Sequence, residues 1–189
     1  MVFLGSGREG RMGERVSTLI RKKLESKEVN VSFIDPLTLG EPVVKQPIQF
    51  LKDPSLVADN LKKYNEEIIK SDAYFLITAE YNGSICPGLS NCIDYFPPSS
   101  YEHKPFAISS YSMGPFGGVI AGSSLRHVIS VLGGFPIAGS LVIPEVHKAV
   151  SEDGVGNERV ERNAEKIVNS LLWYTEAIKK QKETKPLPK

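Results

Sequence analysis

Short apolar runs alternate along the chain with longer stretches in which apolar residues recur every three or four positions. That is the pattern of β and α units wound into a mostly parallel sheet. Val2 to Leu4 reads as a clipped first strand, and Gly13 to Ser26 follows as a helix with Val16, Leu19, Ile20 and Leu24 on one face. Val29 to Ile34 reads as a second strand. The stretch "DPLTLGEPVVKQPIQFLKDP" (35–54) then carries four prolines and is too interrupted for a regular element. Between Ser55 and Lys70, Val57, Leu61, Tyr64 and Ile68 recur at helical spacing, with Ser55 as the predicted N-cap. "AYFLIT" (73–78) predicts a strand buried on both faces.

A short helix around Leu89 to Tyr95 should stop at Pro97 and Pro98, before a fourth strand at 105–110. A helix over about 118–132 turns Leu125, Val128, Ile129 and Leu132 inward, and 136–143 supplies the fifth strand. The last helix, about 157–182, presents Val160, Ala164, Ile167, Leu171, Tyr174 and Ile178. Five such units in one domain, 1–189, are the expectation, with about 183–189 a solvated basic tail.

Composition narrows the class. With 41% hydrophobic and 24% charged residues the chain matches an ordinary globular protein, and no apolar stretch approaches the ~20 residues of a membrane helix. The apolar start is too short for a secretory signal, which predicts a cytoplasmic protein with no membrane partner. A balance of 23 basic against 22 acidic residues argues against nucleic acid as a partner. Cys86 and Cys92, the only cysteines, lack metal-ligand spacing and read as two reduced thiols, so no metal site is expected.

In a doubly wound sheet, ligands bind beyond the carboxyl ends of the strands where the winding reverses. The loops after strands one, three and four are "GSGREGR", "TAEYNGSICPG" and "SYSMGPFGG", the most glycine- and aromatic-rich stretches of the chain. Gly5, Gly7 and Gly10 spell GxGxxG, with Asp35 closing strand two, the outline of a dinucleotide site. A pyrophosphate, however, rests on bare glycine backbone. Here Ser6, Arg8 and Arg11 add a hydroxyl and two guanidiniums, equipment suited to a terminal phosphate monoester. The helix start near Gly13 and Glu14 adds backbone donors.

Tyr81, Asn82 and Gly83 offer a flat aromatic, an amide and a close backbone approach, which suit a planar polar ring; Tyr81 could equally cap the core. Gly114, Gly117 and Gly118 either free backbone N–H groups for a ring oxygen that gains charge or permit a tight turn. "GSSLR" (122–126) lacks the final glycine of a nucleophile elbow, and His103, His127 and His147 are too scattered to form a catalytic group.

On these residues the sequence resembles the NADPH-dependent FMN reductase family, flavodoxin-like flavoproteins that include quinone and azo-dye reductases, over about residues 2–175. "GSGREGRMGERV" matches the family's phosphate turn GSxRxxR, and "AEYNGSICPGLSNCIDYF" matches PEYNxSxPxxLKNAIDW. "YSMGPFGGVIAGSSLRHVISVLGG" matches the third loop and its helix. Ala79 departs from the motif's proline, Cys86 stands where a proline is common, and Ser90 replaces lysine, which bears on the substrate side.

The resemblance implies a flavodoxin-like, doubly wound five-stranded parallel sheet of order 2-1-3-4-5 with helices on both faces, in a homodimer or homotetramer. It implies that Ser6, Arg8 and Arg11, followed by Met12 and Gly13, hold the FMN phosphate. Glu80, Tyr81, Asn82 and Gly83 would flank the isoalloxazine, and Ser112, Met113, Gly114, Gly117 and Gly118 would meet its far end. NADPH, or NADH, would then donate hydride through FMN to a quinone, free flavin or similar small-molecule acceptor in a ping-pong cycle, with no catalytic side chain. Arg126 would attract the NADPH 2′-phosphate or lie solvated on its helix. Two other readings remain: a redox-sensing interaction protein of the same fold, and a flavin-free NAD-binding Rossmann oxidoreductase using the GxGxxG glycines and Asp35.

Overall fold

The computed structural model describes residues 1–39 and 43–187. Part of the expected proline-rich loop and the end of the tail therefore lie outside the described residues. The chain runs β1 (Val2–Leu4), α1 (Gly13–Glu25), β2 (Phe33–Ile34), α2 (Asp59–Lys70), β3 (Tyr74–Tyr81), β4 (Ser84–Ile85) and α3 (Pro87–Asp94). It continues through β5 (Pro105–Tyr111), α4 (Val119–Val131), β6 (Phe135–Pro136), β7 (Leu141–Ile143), α5 (Val146–Ala149) and α6 (Glu158–Thr184). The sheet order is β2-β1-β3-β5-β6, all parallel, with β7 beside β5 and the short β4 antiparallel to β3. With the antiparallel β4 set aside and β6 and β7 taken as two pieces of one strand, this is the expected 2-1-3-4-5, in a sheet of seven strands rather than five.

The centre of the sheet is apolar on both faces because helices cover both. Every residue of β5 is buried, and Phe3, Leu76 and Ile108 stand side by side across β1, β3 and β5. Successive residues of β5 point to opposite faces. Gly122 of α4 packs over Ser110, whereas Gly13 of α1 packs over the Tyr111 ring, so α4 and α1 lie on opposite sides of the sheet. α1 buries Val16, Leu19, Ile20 and Leu24, the expected stripe, and α6 buries Val160, Ala164, Ile167 and Leu171.

Four boundaries differ from the sequence pattern, each for a local reason. Strand two pairs only over Phe33–Ile34, opposite Val2 and Phe3 of β1, and Asp35, the next residue, turns its carboxylate to Arg11. Ser55 does not cap α2: the Asp53 carboxylate takes the Ser55 N–H at 2.9 Å and starts a separate 3-10 turn, so the helix begins at Asp59 behind Ala58. Strand three runs on to Tyr81, since Asn82 and Gly83, with φ of 53° and 70°, turn the chain back into β4. Strand five breaks into β6 and β7. Pro136 supplies no N–H, and Gly139 sits at φ 79°. Arg126 donates to the carbonyls of Ile137 (3.2 Å) and Gly139 (2.5 Å), closing that gap, so it is neither a solvated residue nor directed at a phosphate.

At the amino end of the strands, Lys104 is buried with its Nζ on the carbonyls of Ile68, Ile69 and Ser100 and on the Tyr74 hydroxyl, at 2.9–3.0 Å. Two of those carbonyls end α2, where a cation also meets the negative pole of the helix. Burial pulls the Lys104 pKa down to about 8, so these oxygens hold a proton that the surroundings disfavour. Lys104→Met should cost about 2 kcal/mol in urea denaturation, since it takes the buried donor from the Ile69 carbonyl and the Tyr74 hydroxyl, while Tyr74 stays as a donor to Ile68 and Ser100.

Candidate functional site

The loops after β1 and β3 meet at the carboxyl end of the sheet. Ser6 is almost wholly buried, and its Oγ lies 2.5 Å from the Tyr81 hydroxyl. Arg8 stacks its guanidinium over the Tyr81 ring, 3.5 Å from the centroid, and its backbone N–H reaches Ser6 Oγ at 3.4 Å. This close docking depends on glycine. A Cβ at Gly5 would fall 2.6 Å from Cys86 Sγ, and one at Gly88 would strike the Gly5 carbonyl oxygen. The first loop is thus pressed onto the start of α3, where Cys86 is a buried thiol at the N-cap.

Arg11 is placed differently from Arg8. Its side chain is 5% exposed, and its Nη1 and Nη2 form a bidentate pair with the Asp35 carboxylate. Nη1 also donates to the Ser6 carbonyl at 2.6 Å, and Nε donates to Glu14 at 3.1 Å. Asp35 Oδ1 further accepts the Leu37 N–H at 2.9 Å. Both oxygens of Asp35 are therefore turned inward, and the acid that a GxGxxG reading assigns to a ribose is committed to an arginine. Gly10 takes φ 63° with nothing within 4 Å of its missing Cβ, so it is glycine for the turn alone. Met12 is the N-cap of α1 and makes no side-chain cap, which leaves the first N–H groups, from Gly13 on, to meet an anion.

The third loop joins the others through Glu80. Its Oε2 accepts the N–H groups of Ile120 (2.9 Å) and Ala121 (3.1 Å), capping α4 from the end of β3. Ser112 and Met113 do not reach the first two loops. The Ser112 hydroxyl donates to the Gly114 carbonyl at 3.0 Å, Gly114 also accepts the Glu145 N–H, and Met113 is 56% exposed.

The glycines of this loop have separate causes. Gly117 and Gly118 have φ of 65° and 73°, and a Cβ on them would strike Val142 at 2.6 Å and the Tyr111 carbonyl at 2.8 Å, so packing alone requires them. Gly114 has nothing within 4 Å and borders open space, as does Gly83 at the hairpin tip beside the exposed Asn82. The hairpin itself could have been read from the Asn82-Gly83 pair, a two-residue turn signal. The partnership of Arg11 with Asp35 has no local signal.

The donor set fits a phosphate ester: a hydroxyl, an exposed guanidinium and an uncapped helix start surround one turn. A family model described as NADPH-dependent FMN reductase matches residues 1–148. The chain belongs to that family. It is 27% identical over 199 aligned positions to the NAD(P)H-dependent FMN reductase ntnL of Nectria sp, covering 96% of this chain and 98% of the relative. It is 31% identical to a quinone reductase of Escherichia coli strain K12 over 70% of this chain and 69% of the relative.

Among solved structures, the flavoenzyme FerB of Paracoccus denitrificans superposes with a TM-score of 0.77 at 21% identity, over 93% of this chain and 96% of FerB. A flavodoxin of Pseudomonas aeruginosa, solved as a single-site mutant, superposes at 0.53 and 15% over 94% and 97%. Both share the fold. The chain is therefore an oxidoreductase of a flavodoxin-like family whose cofactor is FMN.

Asp35→Asn should cost about 3 kcal/mol of stability, because it leaves the Arg11 charge buried with half its partner removed. Urea denaturation of the purified variant measures this, and an unchanged midpoint would show that the pair holds nothing.

Proposed function

We propose that the chain is a single FMN-binding domain that takes hydride from NADPH or NADH and delivers two electrons to a quinone, a free flavin or a similar small acceptor. The observation that carries this reading is the meeting of Ser6, Arg8 and Tyr81 at one turn beside the start of α1. When bound, FMN supplies the hydride and electron chemistry, and the protein supplies binding and orientation.

Ser6, Arg8 and the N–H groups at Gly13 and Glu14 are the phosphate ligands in this proposal. Arg8 is exposed and, among the described residues, makes no ion pair, so its guanidinium is free to leave Tyr81 for an incoming anion. Arg11 already commits four of its N–H groups to Ser6, Asp35 and Glu14, which leaves one of a guanidinium's five. Its main task is to hold the turn in shape. Tyr81, with Asn82 and Gly83 at the hairpin tip, would flank the ring on one side. Gly114, with Ser112 and Met113, would border it on the other, where open space is available.

Glu80 keeps the two walls together by tying β3 to α4. Donor and acceptor would use the exposed rim by turns, a ping-pong order. The exposed Phe116, Val119, Ile120 and Val131 give the third loop and α4 an apolar outer surface, which supports self-association as a homodimer. In this reading the protein works in the cytoplasm.

The purified protein should be yellow and should oxidise NADPH with at least one member of a panel of quinones, free flavins and azo dyes. Colourless protein that gains no flavin on reconstitution overturns the reading. Arg8→Ala should weaken FMN binding by about tenfold to a hundredfold in equilibrium dialysis, the worth of one charge-assisted hydrogen bond, with the unfolding midpoint unchanged.

A further inference from the structure

The Ser6 hydroxyl has a second phenol set against it from below. Tyr111, at the end of β5, crosses the α1 face of the sheet and is 4% exposed. Its hydroxyl lies close to Ser6 under the first turn, near enough to interact with it, but among the described residues it makes no hydrogen bond of ordinary length. Gly13 leaves the space for it: a Cβ there would stand 2.5 Å from the Tyr111 oxygen. A buried hydroxyl without a partner is rare in native proteins and carries a cost that a nearby acceptor removes.

The acceptor is at hand but engaged. Ser6 Oγ is paired with the Tyr81 hydroxyl, a contact in which either oxygen can donate, and takes the Arg8 N–H at 3.4 Å. A phosphate dianion offers only acceptors, so Ser6 must donate to it. Its lone pairs then need donors from the protein side.

We propose that Tyr111 is a positioning residue for phosphate recognition: it donates its proton to Ser6 Oγ and thereby directs the Ser6 O–H outward, toward the phosphate ester. Burial raises the Tyr111 pKa above its ordinary value, which keeps the phenol a neutral donor. Tyr81, released from Ser6, is then free to turn its ring to the rest of the cofactor. This inference rests on the placement of the FMN phosphate at the first turn.

The test is a titration of the flavin-free full chain with FMN and with riboflavin, which lacks the phosphate, followed by quenching of flavin fluorescence. The wild type should prefer FMN strongly. Tyr111→Phe keeps the ring and its packing; it should bind FMN about tenfold more weakly while its riboflavin affinity is unchanged. Ser6→Ala should lose at least as much, and the double variant no more than Ser6→Ala alone, because Tyr111 acts through Ser6.

An unchanged FMN-to-riboflavin ratio in Tyr111→Phe, an equal loss for both flavins, or additive losses in the double variant would each overturn the proposal while leaving the phosphate site standing. A wild type that does not distinguish FMN from riboflavin, or a Ser6→Ala that still does so fully, overturns the phosphate site and this proposal with it.

Discussion

The buried pair of Arg11 and Asp35 fixes the shape of the first loop, and the rest of the site is arranged around it. Both charges are taken out of water, a cost that Coulomb attraction offsets only when geometry is good and the remaining donors are used. Here the pair is bidentate, Glu14 and the Ser6 carbonyl take further N–H groups of the arginine, and Leu37 supplies one to the acid. The arginine thus joins the end of β2 to the backbone of Ser6, which sets where the Ser6 hydroxyl stands. With Arg11 committed inward, positive charge free to meet an anion falls to Arg8 and to the start of α1.

Much of this fold can be read from one-dimensional pattern, because its central strands are buried on both faces and its helices on one. Continuous apolar runs such as 74–78 and periodic stripes such as Val16, Leu19, Ile20 and Leu24 have no other stable use. What fails is whatever depends on a competitor for the same backbone group. Ser55 has the chemistry of a cap, but Asp53 takes its N–H and holds it in a separate 3-10 turn ahead of the helix. The stretch 136–143 has the composition of one strand, yet a missing N–H at Pro136 and a left-handed Gly139 divide it, and Arg126, distant in sequence, takes up the exposed carbonyls.

The candidate site was legible as three glycine-rich loops, but not in the division of labour among their residues. Glycines look alike in a sequence and differ in cause. Gly5 makes room for the Cys86 thiol and Gly88 for the Gly5 carbonyl, Gly117 and Gly118 fit a packed turn, Gly13 makes room for a phenol, and Gly83 and Gly114 face open space. Likewise Arg8 and Arg11 sit in one motif with opposite fates, one exposed and one buried. Tyr111 opens the third loop's motif, but nothing in that motif shows that its side chain lies under the first turn, reaching it from a strand farther across the sheet.

Chemistry at the rim follows from which acids remain uncommitted. A general acid or base needs a carboxyl free to exchange its proton with substrate. Asp35 is held by Arg11, Glu80 caps α4, and Glu14 pairs with Arg11, which leaves Glu9, exposed on the first loop, outside these contacts. What these loops present besides is an aromatic ring, hydroxyls, an exposed guanidinium and backbone N–H groups, a surface that can hold and orient a planar anionic cofactor. Membership of the NADPH-dependent FMN reductase family accords with a site built this way.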